Sequence, residues 1–339
     1  MASERLRYID VAKGLLILCV VFGHIYGNSK AIDNITVDYF HRISNLFISF
    51  YMPCFFVITG YCSNFKKSLT ELFTSSFKTI AFPGIVFSII FFVLERKYDV
   101  ASLCHLIKEI CLYGGSYWFL SALFVARILY GIFFRWVGEH RIYYVCALLF
   151  VLGFILSTLP HKYEFWWFYH AVILMPYMGY GQYLKKKEYN FNDLRIVCPI
   201  YLILYTTTIV LAHYGILKID YYYHCPGITQ MFINVNLSML LSLIVLSIFG
   251  SVLTITISRL IYKNKLLEFF GKNSLTIYCV HGFVLSRVFS IVGAVITKET
   301  TVITAIILFV AGFIFTMLIV SGIVYIINQK YFRILIGKF

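Results

Sequence analysis

The sequence predicts an all-α integral membrane protein with about ten transmembrane helices and both termini in the cytoplasm. Of the 339 residues, 60% are hydrophobic and only 13% are charged. The mean hydropathy of +0.83 implies more apolar surface than the core of a soluble protein can cover. The positions of the basic residues then predict the orientation of the chain in the membrane.

A membrane helix needs roughly 17 to 25 predominantly apolar residues. Ten stretches satisfy this requirement, at about 12–28, 43–63, 79–95, 116–135, 141–159, 165–183, 196–215, 231–257, 273–293 and 302–327. The chain has no Ser/Gly-rich linker, so we expect one polytopic domain over residues 1–339 without an appended soluble domain. Between Arg96 and Tyr113, apolar residues recur at helical spacing, which predicts an amphipathic helix at the membrane interface.

The net charge of +14 falls mostly on one side of this topology. If the N-terminus is cytoplasmic, 19 of the 29 Lys and Arg residues are cytoplasmic, eight are outside, and Arg127 and Arg287 lie within helices. This bias is the positive-inside rule. It explains the basic charge without a nucleic-acid partner. For Lys185, Lys186 and Lys187 it favours a topology signal or a contact with anionic membrane lipid over a polyanion site.

Two further features narrow the class of protein. The nine cysteines lie mostly inside apolar segments and show neither CxxC nor Cys/His metal spacing, so we interpret them as small hydrophobic residues and expect no metal site. No short apolar region with a small-residue cleavage site precedes the first span, so we expect no cleavable signal peptide.

The first predicted helix carries the most informative residues. His24 ends an apolar run that follows Asp10-Val-Ala-Lys13-Gly14, and an ionisable group at membrane depth is a candidate functional residue. At about 100° per residue, Lys13 and His24 share one face of the helix and Asp10 lies within roughly 40° of it. The alternative is a charge pair at the lipid headgroups and a histidine that is hydrogen-bonded inside the bundle.

The second predicted span contains Phe50-Tyr-Met-Pro53 and Phe55-Phe-Val-Ile-Thr59-Gly60. Pro53 can break a helix, and Thr59 with Gly60 permits close approach of another backbone, so this segment could expose polar backbone in a cavity. Ordinary packing of small residues between helices explains the same pattern.

The fourth and ninth spans begin with polar motifs. Gly114-Gly115-Ser116-Tyr117-Trp118 places hydroxyls and an indole at a helix N-terminus, whose N–H groups could bind an anion or a developing oxyanion. An interfacial Trp after a turn is the simpler reading. Gly271-Lys272-Asn273-Ser274 precedes Tyr278 and His281, a second intramembrane histidine on the face of that tyrosine.

These motifs, in this order, resemble the membrane-bound acyltransferase-3 family, the integral-membrane O-acyltransferases of bacterial surface polysaccharides. The resemblance is strongest in the first helix, where the family carries a basic residue, ten intervening residues and a histidine, here Lys13 and His24. The second-span motif is similar to the family's Phe-Phe-x-x-Ser-Gly. Two departures stand out: Tyr51 occupies a position where relatives often have His, and Lys66, Lys67 and Lys78 stand where relatives tend to place arginines.

The resemblance implies transfer of an acetyl group from cytoplasmic acetyl-CoA, a co-substrate, to a sugar hydroxyl of a polysaccharide or lipid-linked glycan. No tightly bound cofactor is implied. His24 would act as general base or transient acyl carrier, with Lys13 and Asp10 beside it. Further expected residues are Trp118, Ser116, Thr59, Tyr278 and His281 along the acyl path, and Lys78 and Lys67 as CoA contacts.

The same resemblance implies a multi-pass protein of the bacterial cytoplasmic (inner) membrane, in contact with lipid and with polysaccharide-assembly proteins. Two other classes explain part of the pattern. A secondary transporter or exporter of a lipid or sugar also has buried charges and broken helices, although the halves of this chain show no convincing repeat. A non-catalytic partner in polysaccharide assembly would need only a structural bond from His24.

Overall fold

The computed structural model describes residues 7–29, 50–95, 99–157, 165–187, 237–297 and 300–337, and parts of 199–211. Every regular element in these ranges is helical, as predicted. The helices are α1 (Arg7–Ser29), α2 (Phe50–Cys62), α3 (Leu69–Ser76), α4 (Phe82–Leu94), α5 (Val100–Lys108), α6 (Trp118–Ser157), α7 (Phe168–Lys186), α8 (Leu237–Leu260), α9 (Lys265–Lys272), α10 (Ser274–Val295) and α11 (Val302–Ile327). The predicted span at 196–215 lies largely outside the described residues.

Long apolar helices confirm a multi-pass membrane protein. Five segments of the described chain are long and apolar enough to cross a bilayer. They are Arg7–Ile25, Leu69–Leu94, Val100–Leu152, Ser274–Val295 and Val302–Ile327. The total of ten spans and the cytoplasmic position of both termini stay predictions based on apolar length and charge.

A single glycine divides α6. Gly138 has φ 82° and ψ 169°, which are not helical values, and a positive φ strains residues that carry a Cβ. A methyl group added to Gly179 of α7 would lie 3.5 Å from the Tyr130 ring and 3.1 Å from the Cys146 sulfur. Both halves of α6 therefore pack against the same part of α7, which agrees with two separate predicted spans at 116–135 and 141–159.

The predicted amphipathic segment is helical. Asp99 caps α5 by accepting a hydrogen bond from the Ser102 N–H at 2.9 Å. Leu106 is buried, whereas Val100, Leu103 and Ile107 are exposed. The helix is therefore confirmed, and its place at the membrane interface stays a prediction.

The described chain forms two compact units. One comprises Met1–Tyr51 and Thr254–Arg333, and the other Met52–Leu253 and Ile334–Phe339. In the first, α1 packs on α9 and α10, and α10 packs on α11. In the second, both halves of α6 pack on α7.

Small residues explain the contact of α2 with α7 in the second unit. A methyl group on Gly60 would overlap the carbonyl oxygen of Met178, and one on Gly181 would overlap that of Val57. The Thr59-Gly60 motif thus serves close helix packing here. Within the described residues, α2 is helical from Phe50 through Pro53 to Cys62, which agrees with the alternative of ordinary helix packing.

Candidate active site

Two glycines bring α1 into direct backbone contact with α9. A methyl group on Gly14 would overlap the carbonyl oxygen of Leu267, and one on Gly271 would overlap that of Asp10. Only glycine allows two helices to approach this closely. The glycines of the Lys13-Gly14 and Gly271-Lys272 motifs therefore place the first turns of α1 beside the start of α10.

Asn273 fixes the junction between α9 and α10. It is 8% exposed, and its amide nitrogen donates to the Phe269 carbonyl at 2.8 Å. Its amide oxygen accepts a hydrogen bond from Asn328, also at 2.8 Å. Since Asn328 caps the C-terminus of α11, one buried amide joins the start of α10 to the end of the neighbouring helix.

Lys13 and His24 lie on one uninterrupted helix, as predicted. Helix α1 is α-helical from Arg7 to Ser29, so the two residues share a face and are separated by about 16 Å along the axis at a rise of 1.5 Å per residue. Both side chains are half-buried, and Asp10 is 3% exposed.

The structure pairs His24 with His281, a contact that the sequence did not indicate. Their ring centroids are 4.9 Å apart and the rings are nearly perpendicular, at 81°. Asp10 contacts Gly271, just before α10, and His24 farther along α1 contacts His281 farther along α10. Helices α1 and α10 therefore run in the same direction. No local rule connects residues this far apart in sequence. The available signal was that both are histidines within predicted spans.

The hydrogen bonds of the pair define its tautomers. Nδ1 of His24 lies 2.8 Å from the Val20 carbonyl oxygen, and Nδ1 of His281 lies 2.7 Å from that of Tyr278. A carbonyl oxygen can only accept, so each Nδ1 carries a hydrogen and, in a neutral ring, each Nε2 carries the lone pair. In His281 this Nε2 is buried and makes no hydrogen bond within the described chain. In this tautomer, each ring can accept a proton at Nε2.

Tyr278 packs against His281. It is 7% exposed, and its ring centroid lies 5.7 Å from that of His281. Of the predicted site residues, the structure therefore collects Asp10, Lys13, His24, Tyr278 and His281 in the first unit, on α1 and α10.

Trp118 and Ser116 belong to the second unit. Trp118 is 7% exposed, and its ring lies 5.5 Å from His170 and 6.1 Å from Trp167, so it is a buried residue rather than an exposed interfacial one. Sequence reasoning missed His170, a further ionisable side chain within a predicted span. Trp167 has a left-handed φ of 54°, which is uncommon for an aromatic residue.

Ser116 lines a cavity of about 480 Å³. Its N–H donates to the Ser88 hydroxyl and its own hydroxyl donates to Glu109, both at 2.9 Å. A methyl group on Gly115 would lie 2.8 Å from that Ser88 oxygen, so the glycine allows this turn to pack closely. Glu95 and His105 also line the cavity.

The other predicted residues of the second unit lie apart from these clusters. Thr59 is half-buried in the last turn of α2, where its carbonyl accepts a hydrogen bond from the Ser63 N–H at 3.0 Å. Lys67 and Lys78 are exposed. In the first unit, Arg287, a charge within a predicted span, is exposed with its guanidinium 5.2 Å from the Phe283 ring centroid.

The helices and the histidine pair describe a membrane protein with proton-accepting groups inside its bundle. A family model described as an acyltransferase domain, that of the acyltransferase-3 family, matches residues 6–325. The chain therefore belongs to the acyltransferase-3 family and is a membrane acyltransferase. No curated protein and no solved structure matches it.

Proposed function

We propose that this protein is an O-acetyltransferase of the bacterial cytoplasmic membrane. It moves an acetyl group from cytoplasmic acetyl-CoA to a sugar hydroxyl of a cell-surface or exported polysaccharide, or of a lipid-linked glycan. Family membership and the apolar helices support the class of reaction. The observation that carries the assignment of His24 is the hydrogen bond from its Nδ1 to the Val20 carbonyl, because it leaves Nε2 as the basic atom of the ring.

The proposed step begins when Nε2 of His24 takes the proton of the sugar hydroxyl. The hydroxyl oxygen attacks the thioester carbonyl carbon, a C–O bond forms, and the C–S bond breaks. The proton then passes from His24 to the departing CoA sulfur. In the second route, Nε2 attacks the thioester carbonyl carbon, the C–S bond breaks and CoA leaves as its thiolate. The sugar oxygen then attacks the acetyl carbon, the N–C bond to His24 breaks, and the hydroxyl proton passes to the CoA thiolate. Both routes therefore yield the acetylated sugar, free CoA and the original His24.

Lys13 is assigned to the donor. Its ammonium group would neutralise a CoA phosphate, because about 16 Å along the helix axis separates it from His24 and the reacting thioester, and Asp10 would orient it. His281 is assigned a positioning role, because its ring packs edge to face with that of His24. Two adjacent imidazolium ions would repel each other, so the pair accommodates one added proton at a time.

The family resemblance assigns Trp118, Ser116, Thr59 and Tyr278 to the acyl path. Their hydroxyl, indole and backbone groups are of the kind that hydrogen-bond an acceptor hydroxyl or an oxyanion. The cavity beside Ser116 also has carboxylates and hydroxyls, which can hydrogen-bond sugar hydroxyls. Lys78 and Lys67 remain candidates for contacts with CoA.

The test is acetyl transfer from labelled acetyl-CoA to a candidate glycan by the purified protein in lipid nanodiscs. Loss of a general base typically lowers the rate by about 10² to 10⁴-fold, so His24→Ala should abolish most glycan labelling. His140→Ala, a substitution of an exposed histidine, is the matched control and should retain full activity. Unchanged turnover in folded His24→Ala would refute the role of His24.

The same experiment addresses the transporter alternative. If wild-type protein releases no CoA with any acyl-CoA but moves a labelled lipid or sugar across vesicle membranes, the acyl-transfer proposal fails. Release of CoA without glycan labelling would support cleavage of the thioester by this protein and would refute the proposed glycan acceptor.

A further inference from the structure

A second cavity, of about 360 Å³, lies in the second unit where three chain segments meet. These are the segment after α2, from Ser63 to Lys66, the part of α6 from Tyr130 to Tyr143, and the end of α7. We propose that this cavity is a binding site for the phosphate group of an organic phosphate. Its volume is within the usual range of small-molecule sites, about 300 to 1,000 Å³.

Positive charge dominates the lining of the cavity. Lys66, Lys185 and Lys186 line it together with one carboxylate, Glu139. Nζ of Lys186 lies 3.3 Å from the Glu139 carboxylate and that of Lys66 lies 3.9 Å from it. One carboxylate therefore holds two ammonium groups near each other and leaves the lining with an excess of positive charge, as a phosphate requires.

Donors cover the carbonyl oxygens at the end of α2. Gln182 donates from its amide nitrogen to the carbonyl oxygens of Gly60 and Ser63. Lys185 also donates to the Ser63 oxygen, at 3.1 Å. The negative end of the α2 dipole would repel an anion, and these contacts neutralise it on the side of the cavity.

A buried hydroxyl independently indicates a ligand. Tyr130 lines the cavity and is fully buried, yet its hydroxyl makes no hydrogen bond within the described chain. An unsatisfied buried hydroxyl is costly. A phosphate oxygen in the cavity would accept its hydrogen. Lys187, the next residue after the lining pair, is exposed and does not line the cavity.

Two sources supply this chemistry: the phosphates of CoA and the headgroup of an anionic phospholipid. The first source rests on the proposed function, whereas the phosphate site itself does not. Binding is therefore measured directly, without turnover, by titrating CoA, 3′-dephospho-CoA and inorganic pyrophosphate into purified protein. Nanodiscs of phosphatidylcholine alone and of equal parts phosphatidylcholine and phosphatidylglycerol separate the two sources.

Three substitutions should change phosphate binding, two by weakening it and one by strengthening it, and a fourth serves as the control. Lys186→Gln should weaken pyrophosphate binding by about three- to tenfold, because it removes one charge-assisted contact. Tyr130→Phe should weaken it by a similar factor without loss of stability, because its hydroxyl has no partner to lose in the described chain. Glu139→Gln should tighten binding. Lys187→Gln, the matched control, should leave it unchanged.

The lipid arms identify the source of the phosphate. If phosphatidylglycerol competes with pyrophosphate for the cavity and Lys186→Gln abolishes this competition, the ligand is a lipid headgroup. If CoA binds equally well with and without phosphatidylglycerol, the ligand is the acyl donor. Equal effects of Lys186→Gln and Lys187→Gln on every probe, with no effect of Tyr130→Phe, would overturn the proposal. Loss of transfer in His24→Ala with normal phosphate binding would separate this site from the acyl-transfer step.

Discussion

The contact between α1 and α9 allows a quantitative test of how the first motif is built. In Gly271→Ala, the new methyl group would overlap the backbone carbonyl of Asp10. Overpacking typically costs about 1 to 3 kcal/mol, and the upper value applies because a backbone atom cannot rotate away. Alanine gains about 1 kcal/mol over glycine within a helix. The net expectation is a loss of about 2 kcal/mol in the free energy of unfolding.

Gly282→Ala is the matched control. Gly282 lies on α10 directly after His281, and a methyl group there would meet no atom of the described residues within 4 Å. This substitution should stabilise the protein by about 0.5 to 1 kcal/mol through helix propensity alone. The two variants should therefore differ by about 3 kcal/mol in denaturant unfolding of the detergent-solubilised protein. Equal stability would refute the inferred backbone contact.

Acyl transfer gives a second measurement on the same pair of variants. Separation of α1 from α9 would displace Lys13 relative to α10, and a displacement of about 1 Å can lower a rate by about 10²-fold. Gly271→Ala should therefore lose more activity than its folded fraction explains, whereas Gly282→Ala should not. A rate in Gly271→Ala proportional to the folded fraction would contradict this reasoning.

Two further predictions concern single polar residues. Asn273→Ala should cost about 0.5 to 1.5 kcal/mol, since it removes the acceptor of the hydrogen bond that the half-buried Asn328 amide donates. In a double-mutant cycle, adding Asn328→Ala to Asn273→Ala should lower the free energy of unfolding by less than Asn328→Ala lowers it in wild type. The Ser102 hydroxyl and N–H lower the pKa of Asp99, so the cap stabilises α5 above the unfolded pKa and this contribution disappears as pH falls through the folded pKa. The protection of α5 amides against hydrogen exchange, corrected for the intrinsic exchange rate at each pH, should fall in that pH range in wild type but not in Asp99→Ala.

The sequence predicted the features that depend on local periodicity. Apolar length located α1, α10 and α11 to within a few residues, and helix geometry placed Lys13 and His24 on one face. The short helix α9 was not predicted because its eight residues are too few for an apolar periodicity to stand out. The two halves of α6 were predicted because Gly138 lies in a polar interruption of the apolar run.

Features that depend on distant contacts were not predicted. His24 and His281 meet only because glycine contacts place α1 beside α10, and nothing near either histidine in sequence encodes that distance. Trp118 looked like an interfacial residue because composition alone does not show Trp167 and His170 packing against it. Lys186 and Lys187 are indistinguishable in sequence, yet only Lys186 lines the cavity beside Tyr130.

The first motif combines two functions that sequence spacing does not separate. Lys13 and His24 supply the ionisable groups, whereas Gly14, beside Lys13, supplies the backbone contact that holds α1 against α9. Gly271 does the same from the partner helix, three residues before α10 begins. A substitution at either glycine and one at either ionisable residue can therefore abolish the same activity for different reasons. Only the glycine substitutions should also lower the free energy of unfolding, so stability and rate must be measured on the same variant.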